Sequence, residues 1–198
     1  TAGFVPASPN ACEGMPVMFT DTSTGPVNGW FWTFGEGIPD WSTQQHPTAM
    51  WAQAGLYEVS LSVTDGFRYA RTDPALTFSI LAPPMVTKHP SDTLVIAGSS
   101  LQLQAAGINY SSIHWECSAD SGLTWNTLSD GPLYAGTTTS LLQILGTDAS
   151  MDGQLYRCVF TGACPAESPS HPARLMVDVP SGHAYCIIDS LTTCVGLI

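Results

Sequence analysis

Basic residues are scarce in this chain of 198 residues. Lys and Arg together number 5 against 16 Asp and Glu, which gives a formal net charge of −11. Nucleic-acid backbones and anionic membrane surfaces are bound through clusters of basic side chains. The sequence therefore argues against nucleic acid or an anionic lipid surface as the partner.

Long apolar segments are also missing. No run approaches the ~18 uninterrupted apolar residues of a membrane-spanning helix, so we expect no membrane insertion. The chain shows no basic and apolar leader at its start, which is typical of a mature product or an excised part of something larger. Hydrophobic residues nevertheless make up 44% of the sequence, which is too many for a disordered chain.

Helical periodicity is almost absent, and strand-like alternation takes its place. Apolar residues recur two positions apart, so that one face of a sheet is buried while the other stays in water. With 18 Gly and 15 Pro, turn-forming residues separate these runs at intervals suited to sandwiches. The sequence predicts an all-β protein with strands at 17–20, 57–63, 100–105, 140–145 and 155–160.

A domain boundary is predicted at Leu81-Ala82-Pro83-Pro84. Two consecutive prolines fix φ and remove two backbone donors, so no central strand passes through them. We expect one domain over 1–82, a second over 83–180, and an apolar tail over 181–198. The sequence therefore predicts two β domains followed by a short C-terminal tail.

The first domain contains three characteristic segments, ACEGMPVMFTDTSTG at 11–25, WFWTFGEG at 30–37 and AGLYEVSLSVTDG at 54–66. In these segments it resembles a PKD domain, an immunoglobulin-like β-sandwich. Trp32 and Phe34 alternate with Thr33, which places both rings on one core face. Glu36 stands where the family usually has Asp. Some PKD domains bind calcium, and the resemblance makes four carboxylates candidate ligands, with solvated turn residues as the alternative: Asp21, Glu36, Asp40 and Asp65.

The second domain contains the segments IHWECSADSGLTW at 113–125 and DGQLYRC at 152–158. In these segments it resembles a bacterial immunoglobulin-like domain of large secreted Bacteroidetes proteins. The two resemblances together imply two tandem immunoglobulin-like β-sandwiches with a short C-terminal tail. Trp115 stands at the central tryptophan position of such a sandwich, and residues 152–158 match its D-x-G-x-Y-x-C corner. The resemblance places Leu103 or Ala105 where antibody domains carry the partner cysteine. Cys158 is therefore not expected to form the usual inter-sheet bridge.

Six cysteines without a CxxC pair indicate disulfides rather than zinc ligands, and hence an extracellular or cell-surface protein. We expect Cys158 to pair with Cys164 across a hairpin, with Cys117 as the competing partner of either. Cys186 and Cys194 are expected to close the tail on itself. This leaves Cys12 and Cys117. We expect them to pair with each other across the Pro-Pro boundary or with another molecule.

One Asp-box pattern, S-x-D-x-G-x-T-W, occurs at Ser118, Asp120, Gly122, Thr124 and Trp125. The motif resembles the repeated hairpin of sialidase-type propellers, but a propeller needs several copies around a ring. Its aspartate accepts backbone N–H groups inside the turn. We therefore interpret it as a structural turn in which Trp125 anchors the hairpin on the core.

No nucleophile-elbow, zinc-protease, P-loop or dinucleotide-binding motif is present. We predict that the chain is not an enzyme and carries no cofactor. Aromatic residues around the PKD motif are candidates for carbohydrate or protein binding, the alternative being that they complete a core. These candidates are Trp30, Phe31, Trp41 and Trp51.

The predicted function is a non-catalytic structural and adhesion module of a bacterial surface protein or extracellular filament. Its partners would be other protein chains, including copies of itself joined through strand addition by the apolar tail. The alternative is an accessory module of a secreted hydrolase that binds a polysaccharide or protein polymer.

Overall fold

The computed structural model describes residues 1–72 and 75–180 and confirms an all-β fold. Twenty strands and one short 3-10 turn, Ala149–Met151, make up its regular structure. The first ten strands are β1 (Phe4–Pro6), β2 (Asn10–Cys12), β3 (Val17–Asp21), β4 (Gly29–Thr33), β5 (Trp41–Ser42), β6 (Thr48–Ala49), β7 (Gly55–Thr64), β8 (Tyr69–Arg71), β9 (Leu76–Leu81) and β10 (Met85–Lys88). The next ten are β11 (Thr93–Ile96), β12 (Leu101–Gln104), β13 (Ala106–Ile108), β14 (Ser112–Ser118), β15 (Asn126–Thr127), β16 (Tyr134–Ala135), β17 (Leu141–Ile144), β18 (Leu155–Thr161), β19 (Glu167–Pro169) and β20 (Ala173–Asp178).

The chain forms two compact units. The first contains Thr1–Val86 together with two segments from later in the sequence, Gly107–Ser112 and Phe160–Ser168. The second contains Thr87–Ala106, Ile113–Val159 and the described residues from Pro169 onward. The boundary thus lies close to the Pro83-Pro84 pair, but two stretches beyond it pack with the first unit.

Two sheets build the first unit. One has the order β1-β3-β6, and the other has the order β2-β9-β7-β4-β5, with β8 paired to β7. β7 is the central strand of the larger sheet and pairs antiparallel with both β4 and β9. This long strand contains the predicted segment 57–63, in which apolar and polar residues alternate.

Aromatic rings fill the core of the first unit. Trp32 and Phe34 are fully buried and lie nearly parallel, with ring centroids 6.0 Å apart. Phe19 from the opposite sheet packs against both of them. The W-x-F part of the PKD motif therefore points into the core, as its alternation predicted.

The second unit is also built from two facing sheets. The larger has the order β11-β20-β18-β14-β15, with β19 paired to β18, and the smaller has the order β12-β17-β16. Trp115 on β14 is fully buried and donates its indole N–H to the carbonyl of Thr139 at 2.8 Å. Tyr156, at the predicted corner, is fully buried and donates its hydroxyl to Gln154 at 2.9 Å.

Candidate functional site

A disulfide joins Cys12 to Cys164, which are separated by 152 positions in the sequence. Cys12 ends β2 and lies beside Leu81 in the parallel pairing of β2 with β9. Cys164 lies in the loop between β18 and β19, inside the segment 160–168 that belongs to the first unit. The bond therefore closes a covalent loop that contains both prolines of the domain boundary.

The predicted Cys158–Cys164 pair is wrong, and strand pairing explains why. β18 continues to Thr161, and Cys158 lies fully buried in the middle of it. Ser170 donates its backbone N–H to the carbonyl of Cys158 at 2.8 Å and accepts from the backbone N–H of Cys158 through its hydroxyl. Cys164 consequently lies at the turn of the hairpin rather than across from Cys158.

Cys117 and Cys158 have no disulfide partner among the described residues, so the suggested pairing of Cys12 with Cys117 is also wrong. Burial raises the pKa of the Cys158 thiol to about 12. Burial likewise raises the pKa of Cys117. Both side chains are therefore neutral thiols at physiological pH. Cys186 and Cys194 lie outside the described residues.

The Pro-Pro segment is closely packed within the first unit. Pro84 is buried, and the backbone of Gly162 lies against it. A Cβ atom at Gly162 would lie 2.5 Å from the carbonyl oxygen of Asn109 and 2.8 Å from Cγ of Pro84. The side-chain amide of Asn109 in turn donates to the carbonyl of Pro83 at 3.4 Å. Only glycine fits at position 162.

The four aromatic binding candidates divide into one buried, one half-buried and two exposed rings. Trp51 is fully buried and donates its indole N–H to the carbonyls of Phe34 and Gly35. Trp30 is half-buried and packs against the core. Trp51 is therefore a core residue, and Trp30 lies at the edge of the core.

Phe31 and Trp41 are the exposed pair. They are 48% and 55% exposed, and their ring centroids are 6.2 Å apart with planes inclined by 23°. Beside them on the same sheet face, the hydroxyl of Ser60 bonds to that of Thr33 at 2.8 Å and accepts from Arg71 at 3.1 Å. This face therefore offers two aromatic rings next to a polar network that contains one cation.

The four calcium candidates do not come together. Among the described residues, no three His, Cys, Asp or Glu side chains form a group that could hold a metal ion. Asp65 accepts the backbone N–H groups of Phe67 and Arg68, which lower its pKa. Asp21 lies at the end of β3, and Glu36 and Asp40 lie in the loop between β4 and β5. The residues are thus dispersed over several turns.

The Asp-box forms a hydrogen-bonded turn. Asp120 accepts from the hydroxyl of Ser118 at 2.7 Å and from the backbone N–H of Thr124 at 2.9 Å. Hydrogen bonds from Thr124, followed by that from Ser118, lower the pKa of Asp120 to about 2. Gly122 takes a positive φ of 91° that closes the turn.

Trp125 was predicted to anchor the hairpin on the core, but it packs on the surface of the sheet instead. It is half-buried, and the guanidinium carbon of Arg157 lies 4.0 Å from its ring centroid. Arg157 also donates to the carboxylate of Glu116 at 2.7 Å. The indole is therefore held on the sheet surface by a cation–π contact.

An open depression of about 310 Å³ lies at the end of the β7–β8 hairpin. Its lining includes Asp65, Arg68 and Tyr69 but no histidine or cysteine.

Comparison with known proteins supports the two resemblances at the level of the fold. Residues 4–72 match the PKD domain family. No curated protein sequence matches the chain. In the described part of the chain, no helix is long and apolar enough to cross a membrane.

Solved structures with immunoglobulin domains resemble the whole chain. The N-terminal eight Ig domains of Down Syndrome Cell Adhesion Molecule align over 89% of this chain and 24% of theirs, at 14% identity and a TM-score of 0.57. Extracellular domains 3–5 of Drosophila OTK align over 90% of this chain and 62% of theirs, at 11% identity and a TM-score of 0.57. The chain thus spans less than two thirds of either structure.

Three N-terminal domains of the bacteriophage RB49 Highly Immunogenic Outer Capsid protein align over 89% of this chain and 70% of theirs. The identity is 14% and the TM-score is 0.59. At such identities the likeness concerns the fold alone. PKD and immunoglobulin-like domains are typically extracellular, non-catalytic modules of structure and adhesion. The chain thus consists of a PKD-like domain, matched over residues 4–72, and an immunoglobulin-like sandwich that follows it.

Proposed function

We propose that this chain is a non-catalytic structural module of an extracellular or cell-surface bacterial protein, acting as a spacer and a protein-interaction unit. Extracellular localisation is supported by the Cys12–Cys164 disulfide, because such bonds persist in oxidising compartments. PKD and immunoglobulin-like domains generally mediate contacts between proteins. The exposed aromatic rings of the first unit are available for such contacts.

The covalent loop closed by Cys12 and Cys164 is the observation that carries the spacer function. Tension applied to the two ends of the chain passes from Cys12 to Cys164 through the sulfur atoms. This path excludes residues 13–163, which contain the proline boundary and most strands of both units. A spacer under tension would thereby keep its length while the enclosed strands remain folded.

Single-molecule force spectroscopy tests this proposal. The chain is pulled from its ends in oxidising buffer and again with a reductant. We expect reduction to add about 500 Å of contour length, since the bridge spans 152 positions at ~3.3–3.6 Å per extended residue. The same full extension without reductant would contradict a disulfide-protected spacer.

The exposed Phe31–Trp41 pair favours a second candidate, an accessory polymer-binding module of a secreted hydrolase. Two adjacent rings beside hydroxyl groups suit the apolar and polar faces of a sugar. A pull-down on insoluble chitin, cellulose or collagen tests it. Binding should be lost in F31S/W41S and kept in L56S, which removes an apolar side chain that is 74% exposed.

We also propose, as a separate route to self-assembly, that the tail over 181–198 adds to a neighbouring molecule. Its sequence is apolar at 184–188, with Tyr, Cys and two Ile, and these residues lie outside the described part of the chain. Size-exclusion chromatography of the chain with and without 183–198 tests this route. A monomer in both cases would contradict it.

A further inference from the structure

The turn between β7 and β8 carries three side chains that project into solvent, Phe67, Arg68 and Tyr69, which we name the hairpin tip. Phe67 is 94% exposed and Tyr69 is 84% exposed. Arg68 and Arg71 are the only Lys or Arg residues of the first unit. Arg68 has no carboxylate partner within salt-bridge distance among the described residues. Aromatic and arginine side chains are the types that dominate protein interfaces.

Hydrogen bonds fix the shape of the hairpin tip. Asp65 accepts the backbone N–H of Phe67 at 2.8 Å and that of Arg68 at 2.7 Å through one carboxylate oxygen. Gly66 takes a positive φ of 92° and donates its N–H to the hydroxyl of Thr64 at 3.0 Å. The carboxylate of Asp65 is thus used within the turn. A turn that is ordered before contact loses little conformational entropy on binding.

A second surface carries two carboxylates and two apolar side chains, where the hairpin tip carries an arginine. It is formed by Glu36, Ile38, Asp40 and Met50, and we name it the acidic end surface. Ile38 and Met50 exchange backbone hydrogen bonds of 2.8 and 3.1 Å and are 53% and 37% exposed. Glu36 and Asp40 are exposed on either side of Ile38 in the sequence. The first unit has no lysine, and neither of its arginines lies in this loop.

The hairpin tip and the acidic end surface lie at opposite ends of the same sheet. β4 and β7 are antiparallel, with Gly29 opposite Thr64 and Thr33 opposite Ser60. The hairpin tip follows Thr64, whereas the loop with the acidic end surface follows Thr33. The two ends are therefore separated by at least the length of β4, about 13 Å at ~3.3 Å per residue.

We propose that the occupant of the acidic end surface is the hairpin tip of a second copy of this chain. Arg68 would face Glu36 and Asp40, while Phe67 and Tyr69 would cover Ile38 and Met50. Because the two contact surfaces differ and point in opposite directions, the contact repeats head to tail and does not close into a dimer. This inference deepens the proposed protein-interaction function and rests on it.

One such contact is small, because a single hairpin tip covers much less than the ~1,000 Å² of a stable interface. The association is therefore weak between separate molecules and becomes effective when copies are held close together. Added salt weakens its exposed charged part, but it also screens the repulsion between copies that each carry a formal net charge of −11. These properties set the conditions of the experiment.

The experiment is sedimentation velocity of the 198-residue chain from about 10 μM to 1 mM, at low and high salt. We expect the weight-average mass to rise with concentration. F67S/R68S disables the hairpin tip, and I38S/D40N disables the acidic end surface. Each variant alone should remain monomeric. A mixture of the two should form 1:1 dimers and nothing larger, since it contains one intact surface of each kind.

Matched controls come from the second unit. L94S/R174S and I96S/D178N make the same kinds of change at exposed residues and should leave the association unchanged. Thermal melts check that all variants fold, since substitutions of this kind usually change stability by less than ~0.5 kcal/mol. The force measurement with the disulfide does not depend on association, so it separates a failure here from a failure of the spacer proposal.

Three results would overturn the head-to-tail contact: a wild-type monomer at 1 mM at both salt concentrations, a mixture of the two variants that stays monomeric, or loss of association in the control variants. Association that disappears on deletion of 183–198 but survives F67S/R68S would also overturn it, in favour of the tail.

Discussion

The indole N–H of Trp30 donates to the carboxylate of Asp21 at 2.7 Å, joining β4 to the end of β3. Asp21 also accepts from the backbone N–H of Ser23 at 2.9 Å and from the side chain of Gln45 at 3.3 Å. Partial burial opposes ionisation, but these hydrogen bonds outweigh it and lower the pKa of Asp21. The residue is thus a structural acceptor that connects the two sheets of the first unit.

Acid should weaken this connection. Because the folded-state pKa of Asp21 lies below its unfolded value, its contribution to stability is complete above the unfolded pKa of ~4 and disappears as the pH falls through the folded pKa. In W30F the donor is missing, and we expect a loss of about 1.5–3 kcal/mol at neutral pH. Urea unfolding at pH 7 and below pH 3 measures both effects. An equal loss at both pH values would contradict the role of the Asp21 carboxylate.

Removal of the disulfide should destabilise the chain strongly. In C12A/C164A the unfolded chain is no longer restrained, and we expect a loss of about 2–5 kcal/mol. Chemical unfolding of the variant beside the oxidised wild type measures it. Reduced wild type serves as the control and should approach the variant. Equal stability of the oxidised wild type and the variant would show that the bond is absent.

Gly162 should not tolerate a methyl group. G162A places Cβ against Asn109 and Pro84, and we expect a loss of about 1–3 kcal/mol from overpacking. Gly131 is the matched control, because nothing lies within 4 Å of a Cβ atom there. G131A should therefore change stability by less than about 0.5 kcal/mol. Similar melting temperatures of the two variants would refute the close packing at Pro84.

Glu116 should matter for the position of Trp125. Its carboxylate is 14% exposed and accepts from Arg157 at 2.7 Å. E116A leaves the guanidinium without its acceptor, and we expect a cost of about 1–3 kcal/mol. In E58A an exposed carboxylate is removed, and stability should hardly change. Trp fluorescence and thermal unfolding report both variants; an unchanged E116A protein would contradict the contact.

The strands and the core were predictable because alternation separates buried from exposed residues directly. Trp32 and Phe34 alternate with Thr33, and both are fully buried. Trp115 is fully buried as well, but its central position was implied by the resemblance to an immunoglobulin-like domain. Trp51 lies outside any strand, and its burial depends on carbonyls at Phe34 and Gly35 that come from another part of the chain. Its role could therefore not be derived from its own neighbours in the sequence.

The disulfide was not predictable for a related reason. The predicted pairing of Cys158 with Cys164 relied on the short separation of these two cysteines in the sequence. The turn of the hairpin instead places Cys164 in the first unit, where Cys12 ends an edge strand. The contact of Gly162 with Pro84 shows that the two segments meet, but these residues lie far apart in the sequence and nothing in their spacing indicates the contact.

The ring closed by Cys12 and Cys164 also changes what a protease can do to this molecule. A single cut anywhere between those residues leaves both fragments attached through sulfur. Such a nicked molecule would keep its ends joined, and separation of the fragments would require a reductant as well as the protease.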